Sequence, residues 1–335
     1  MSVMMAENAG WPAGIELLNC LRSRHYQFIT PTPQTHQRVV ERRLQAAAQS
    51  PKPQTTDLRD TFGWNLLFQL NTVDSALLDC MVHSGAITDC DLATPDTPIR
   101  STFRVSSLND DLFLHSAFPT VQSDAVFFGP DTYRFARFIA QALRIPPVAA
   151  STDAPIRVLD MGCGTGAGGV AAVRVLGRHT LLTLNDINPQ ALRYAAANVA
   201  AAGITCQWLA GDAMKAVVAD YDVIIANPPY LDDDQQRAYR HGGARMGREL
   251  SLRMAATALA HLAPGGKLLL YTGVAMVGGH DPFLAELMVL FDGFDGTWSY
   301  SEIDPDVFGE ELERTVYADI DRIAAVGLFA TRRAL

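Results

Sequence analysis

The stretch DVIIANPPYLDDD, Asp222 to Asp234, is apolar until it meets Asn227, Pro228, Pro229 and Tyr230. Prolines cannot continue a β ladder, so a strand ending here leaves its last carbonyls free. The Asn227 side-chain oxygen and the Pro228 carbonyl then form a pair of acceptors. A planar NH2 group donating to both has its protons held and its lone pair aimed. Amide and aromatic amine nitrogens are poor nucleophiles because that lone pair is delocalised, and two acceptors favour the pyramidal form that frees it. Tyr230 adds a flat face on which an amide or a base can stack. An isolated NPPY also reads as a plain turn, so the residues upstream decide its meaning.

Upstream, VLDMGCGTGAGG sets Gly162, Gly164 and Gly166 after a strand and before a helix. Such glycines let the backbone turn sharply and lie against a ligand, and the helix that follows presents free N–H groups. A small-molecule cofactor is expected, although this loop alone fits either NAD or S-adenosylmethionine. Asp186, about twenty residues on, suits the two hydroxyls of a ribose, which both cofactors carry. Asp160 stands before the glycines, where a carboxylate repels a pyrophosphate but can hold a cationic amino-acid moiety through ordered water. Asp212, after TCQWLAG, is placed to accept from an adenine amino group. Asp160 thus tilts the reading toward the sulfonium cofactor, and three acids at consecutive strand ends are not a pattern of solvated loop residues. Methyl transfer from it needs no metal and no protein nucleophile, because alignment and electrostatic fit suffice.

These residues need a sheet to hold them. From Arg157 onward the runs RVLDMG, TLLTLND, TCQWLAGD, DVIIANPP and KLLLYTG alternate with helical segments, which predicts a doubly wound parallel α/β sheet with helices on both faces. The amino end reads differently. Helices are expected from Trp11 to Ile29, from the Thr/Pro signals near Thr30 through Ala48, in LRDTFGWNLLFQL, and in DSALLDCMVHSGAI closed by Gly85. STFRVSSLNDDLFLHSAF alternates about Asn109-Asp110-Asp111 as a hairpin. Pro130 and Asp131 open a further helix. The chain divides into a helical region 1–98, a hairpin linker 99–126 and an α/β domain 127–335. At 335 residues the whole chain exceeds the ~250–300 residues at which single cores stop growing.

With these motifs in place, Phe127 to the carboxyl end resembles class I S-adenosylmethionine-dependent methyltransferases, in particular the group containing the release-factor glutamine methyltransferases. The resemblance rests on LDMGCGTG, NDINPQAL with Asp186, Gly211-Asp212 and NPPY, in the family's order and spacing. It implies a Rossmann-like seven-stranded sheet whose last strand, RIAAVGLFAT, is antiparallel. It also implies that Thr132 of GPDT lies near the methionine end of the cofactor, and that the amino-terminal region chooses the substrate. A protein glutamine side chain is the first expected acceptor. The exocyclic amine of a nucleic-acid base is the second, since the same motif serves base amines in related enzymes. An NAD-dependent oxidoreductase or a non-catalytic cofactor-binding protein are the readings from other classes.

The formal net charge of −9 gives the whole molecule no attraction to nucleic acid or anionic membrane. The first sixty residues carry seven basic groups to five acidic, so any basic face is expected at the amino end. Five cysteines without a C-x-x-C pair fit reduced thiols rather than a disulfide frame or zinc site. With no signal-like opening and no span of ~18 apolar residues, a soluble cytoplasmic protein is expected. Arg237, Arg240, His241, Arg245 and Arg248, beside a glycine pair, read equally as a mobile lid that holds an anion or as a solvated loop.

Overall fold

The five apolar runs after Arg157 become the parallel part of one seven-stranded sheet. The computed structural model describes residues 11–49, 57–144, 154–177, 179–237 and 239–335. A hairpin of β1 (Phe103–Leu108) and β2 (Asp111–Ser116) precedes the sheet, which is built from β3 (Ile156–Met161), β4 (Thr180–Asp186), β5 (Cys206–Ala210), β6 (Tyr221–Ala226), β7 (Leu262–Met276), β8 (Gly296–Asp304) and β9 (Arg322–Arg332). The order across it is β5-β4-β3-β6-β7-β9-β8. β9 runs antiparallel to both of its neighbours, as expected of RIAAVGLFAT. β8, GTWSYSEID, was not among the runs read as strands; as an edge strand it is only half-buried on alternate residues, which weakens its apolar signal.

Strand alternation sorts the core into two layers. Val158, Val223 and Ile225 face α5 (Pro130–Leu143), α6 (Ala167–Leu176) and α7 (Pro189–Ala201), through Phe135, Val170 and Val199. Leu159, Ile224 and Ala226 face the opposite way, toward α8 (Ala213–Ala216), α9 (Glu249–Ala260) and α10 (Pro282–Leu290), where Met254, Ala258 and Phe283 close the second layer. Both faces of the strands are thus apolar, which is why they read as continuous runs.

The amino-terminal part forms a third core that uses α7 as its floor. α1 (Pro12–Ser23) and α3 (Ser75–Ser84) pack with the hairpin against Ala191, Tyr194 and Ala197. α2 (Pro33–Gln49) follows its Thr/Pro start, and a short α4 (Asp89–Leu92) follows α3. α3 begins at an Asp74 cap and ends at a left-handed Gly85, as its sequence predicts. Two expected helices are shorter than their apolar spacing suggested. α1 stops at Ser23, His25 turns the chain at φ 55°, and Tyr26, Phe28 and Thr30 then enter the core at every second residue. LRDTFGWNLLFQL makes a single turn at Arg59–Gly63, after which Leu66, Phe68 and Leu70 alternate inward and Phe68 bridges Ile99. In both segments a period of two overrides the helical reading, because extended chain held by the hairpin in the first and by Ile99 in the second buries the same residues.

The hairpin turns at Asn109, φ 53°, and all twelve of its strand residues are buried. Polar side chains fasten it to the sheet domain. Arg174 of α6 forks onto Asp111 at 3.1 and 3.0 Å. Asn198 of α7, fully buried, accepts from Leu114 N at 2.7 Å and donates to Leu114 O and Thr165 O at 3.1 and 3.0 Å. One amide therefore joins the hairpin to the glycine loop. Asn198→Ala strands three backbone groups without partners and is expected to lower the unfolding free energy by about 2–4 kcal/mol. Urea denaturation measures this; a loss below about 0.5 kcal/mol, the range of ordinary surface changes, would mean that the amide is not a fastening.

Candidate active site

The carboxyl ends of β3, β4 and β6 and the loop after β5 open on one cavity of about 540 Å³. Thr132, Asp160, Gly162, Gly164, Asp186, Asp212, Asn227, Pro228 and Tyr230 all line it, although they come from positions a hundred residues apart. Gly166 does not. At φ 77° it caps α6, and a Cβ there would meet Val199 Cγ2 at 3.0 Å and Ala195 Cβ at 3.3 Å, so this glycine serves the approach of α7.

Gly162 and Gly164 hold φ of +70° and +52°, and a Cβ on Gly164 would point into open space. That is the geometry of a backbone left bare for a ligand. Asp186 shapes this loop as well as facing the cavity: Oδ2 accepts from Gly164 N and Oδ1 from Asn188 N, both at 2.8 Å. A carboxylate has room for further donors, such as ribose hydroxyls. Asp160 is 2% exposed and accepts from Gly169 N at 2.7 Å. Gly168 keeps this contact possible, because its Cβ would lie 3.0 Å from Asp160 Oδ2 and 2.7 Å from Phe135. Burial, with Asp186 close by, pushes the Asp160 carboxyl up to about 7. Asp212 caps α8 through Met214 N at 3.1 Å. Asn185, which the sequence reading passed over, donates to Leu209 O at 2.7 Å and Gly211 O at 3.0 Å and so fixes the Asp212 loop.

Asn227 follows directly after β6, and its side-chain amide has no hydrogen-bonding partner among the described residues. Tyr230, expected to offer a flat face for stacking, lines the cavity and is held in place. Its ring packs on Gly273, and its hydroxyl donates to Asp131, which also receives Tyr271 at 2.8 Å and Arg134 at 3.1 Å. Arg134 continues to Asp304 at 2.8 Å. Burial raises the Asp131 carboxyl against the opposing pull of both tyrosines and Arg134. This network was not visible in the sequence, where Asp131 read only as a cap for α5.

The arginine-rich loop is neither a free lid nor a solvated coil. Arg237 forks onto Asp233 and holds its carboxyl down to about 2; Arg240 pairs with Glu311; Arg245 and Arg248 both reach Glu286 at 3.2 Å. Leu231 N donates to Arg240 O at 3.1 Å and Gly242 N to Leu231 O at 2.8 Å. At Gly247, φ 84°, a Cβ would fall 2.0 Å from Tyr230 O, so only glycine lets the loop close on the motif. His241 accepts from Asp233 N at 3.2 Å, a loop contact.

Residues 148–276 match the family model of the methyltransferase small domain. A release factor glutamine methyltransferase of Deinococcus radiodurans is 32% identical over 124 residues, covering 34% of this chain and 44% of that protein. A ribosomal RNA small subunit methyltransferase C of Sodalis glossinidius is 36% identical over 116 residues, covering 33% of this chain and 29% of that one. The matched stretch thus spans less than half of either relative. The solved structure of Trm5b from Pyrococcus abyssi is similar at a TM-score of 0.47 and 15% identity, over 70% of this chain and 57% of that one. Sheet order, loop chemistry and the family model matched over residues 148–276 resemble those of class I S-adenosylmethionine-dependent methyltransferases. Within the class the chain resembles the release factor glutamine methyltransferases.

Asp160 gives a titration signature. Its folded carboxyl takes up a proton between the ordinary carboxylate range and about 7, so its contribution to stability is lost as pH rises through 7. A cationic amino group beside it reverses the preference. S-adenosylhomocysteine is therefore expected to release part of a proton on binding at pH 7 and to bind more weakly as pH falls below it. Calorimetry in buffers of different ionisation enthalpy reads the release directly, and zero release would place Asp160 away from the cation.

Proposed function

We propose that this protein transfers a methyl group from S-adenosylmethionine to a planar NH2 nitrogen, with a glutamine side chain of a protein as the acceptor. The observation that carries the reading is Asn227: an amide with no partner among the described residues, at the end of a strand broken by two prolines, inside the cavity that holds Asp160 and Asp186. In this reading Gly162 and Gly164 bare the backbone to the cofactor, Asp186 takes its ribose, Asp212 its adenine amine, and Asp160 and Thr132 its methionine end. The cofactor supplies an activated methyl group. The work of the chain is to align and to desolvate.

Asn227 Oδ1 and Pro228 O receive the two protons of the acceptor NH2 and turn its lone pair into the cavity. Tyr230, fixed by Asp131, walls the acceptor rather than moving with it. Residues 127–335 form the catalytic part in this scheme. Residues 1–98, with the hairpin 99–126, frame the acceptor end, supported by Thr30, Pro33 and Phe118 on the cavity wall. The formal charge of −9 and the carboxylate-paired arginines of the loop favour a protein acceptor over RNA. The likeness to ribosomal RNA methyltransferases keeps an exocyclic base amine as the second reading. No helix among the described residues is long and apolar enough to cross a membrane, and the described cysteines are thiols, in support of a reducing cytoplasm.

Asn227→Ala is expected to leave affinity for S-adenosylhomocysteine nearly intact while lowering turnover about 10²-fold or more, the scale of one positioned polar group. Asp186→Ala should weaken binding of the same ligand by roughly 1–3 kcal/mol. An unchanged rate in the first variant, or unchanged affinity in the second, contradicts the role assigned to that residue. The acceptor class is tested by incubating extract with radiolabelled methyl donor and treating the product with protease or nuclease. Label that survives nuclease and is lost with protease is the expected result; the converse moves the acceptor to nucleic acid.

A further inference from the structure

The wall that the amino-terminal part gives to the cavity contains a buried cation. Arg104 of β1 is 4% exposed, the only buried arginine among the described residues, and no carboxylate among them lies within ion-pairing distance. Its guanidinium is nonetheless held firmly. Nε donates to Gly63 O at 2.9 Å, and Nη2 faces Thr30 Oγ1 at 3.4 Å and His36 Nδ1 at 3.3 Å. His36 Nε2 donates in turn to Trp64 O at 3.0 Å, which leaves Nδ1 as the acceptor for Arg104. Burial and the neighbouring guanidinium push the His36 imidazole down to about 3, so it is a neutral brace and cannot share the charge. Arg104 itself is lowered only to about 10 by burial and stays protonated at neutral pH.

Nη1 is left with no hydrogen-bonding partner among the described residues, and Arg104, His36 and Thr30 all line the cavity that also contains Asn227. Burying an unpaired charge is unfavourable unless something offsets it. The guanidinium is fixed on two of its three nitrogens and lies 5.9 Å from the Phe28 ring centroid, contacts that are all neutral and leave its charge without a counter-ion. We propose that Arg104 is the anchor for a carboxylate of the acceptor molecule, bound at the hairpin end of the cavity while the acceptor NH2 lies at Asn227.

Charge and shape favour a carboxylate. One uncompensated positive charge is balanced by one negative charge. The walls beside it, Pro31, Pro33, Phe118 and Pro119, are apolar and supply no further cation. The molecule as a whole carries −9, which repels a polyanion at a distance but acts little on a single short-range carboxylate. The pocket is also tied to the reaction end: Thr30 N donates to the Tyr133 hydroxyl at 3.0 Å, and Tyr133 follows Asp131 and Thr132 in the first turn of α5. The inference rests on the N-methyltransferase reading for its use of the acceptor, so its test avoids catalysis.

Sodium acetate and dimethyl phosphate serve as probes, titrated into the whole protein saturated with S-adenosylhomocysteine, with the His36 ring resonances followed by NMR. Acetate is expected to shift them saturably. In Arg104→Met the acetate response should weaken about tenfold or more, the loss of one charge-assisted hydrogen bond, with S-adenosylhomocysteine affinity unchanged as proof of folding. Should that variant not fold, the slowly exchanging guanidinium protons of the native protein report the same titration. Saturable binding of dimethyl phosphate without acetate overturns the carboxylate in favour of a phosphodiester. No saturable response to either probe, or an acetate response that survives in Arg104→Met, overturns the site. None of these outcomes depends on whether methyl transfer is detected.

Discussion

The hydrogen bond from Tyr230 to the buried carboxylate of Asp131 is the contact on which the Asn-Pro-Pro-Tyr wall of the cavity depends. It joins the loop after β6 to the first turn of α5, and Tyr271 of β7 closes the group from the sheet side. A carboxylate at 6% exposure survives burial because two phenols and Arg134 satisfy it. With Tyr230 held, the backbone of Asn227 and Pro228 has a fixed direction, and Gly247 lets the arginine loop lie directly on it. A pair of acceptors aligns a nitrogen only if the acceptors do not move.

Charge is distributed in two distinct ways around the cavity. In the loop after the motif, Arg237, Arg240, Arg245 and Arg248 are each matched to a carboxylate, so they stiffen the wall instead of attracting a ligand. On the wall supplied by β1, Arg104 has hydrogen bonds and no counter-charge. The same residue type therefore does structural work where its partners are acidic and points to recognition where its partners are neutral.

The parallel part of the sheet and most of the cavity-lining residues could be read in advance, because strand ends are local events. Glycines after RVLDMG, an acid after TLLTL and prolines after DVIIA each mark a place where a ladder stops, and in a doubly wound sheet those places converge. The amino-terminal part was read less well. Tyr26-Phe28-Thr30 and Leu66-Phe68-Leu70 carry apolar residues compatible with either period, and only distant partners, the hairpin for the first and Ile99 for the second, select extended chain. Asn198 sits in an alanine-rich helix with nothing nearby in sequence to reveal that it holds Leu114 and Thr165.

By itself, then, the amino-acid sequence determined which chemistry could be assembled: a glycine-bared turn, three carboxylates and an Asn-Pro-Pro-Tyr end, each set by the local rules of where a strand must break. Tertiary structure alone decided which polar groups are already satisfied. Asp131 with Tyr230, Arg240 with Glu311 and Asn198 with Leu114 are partners 99, 71 and 84 residues apart. No local pattern encodes such pairs, since a side chain's partner depends on which layers the folded core brings together. Whether an arginine is a clasp or a binding group is settled by that distant neighbour and not by its own surroundings in the chain.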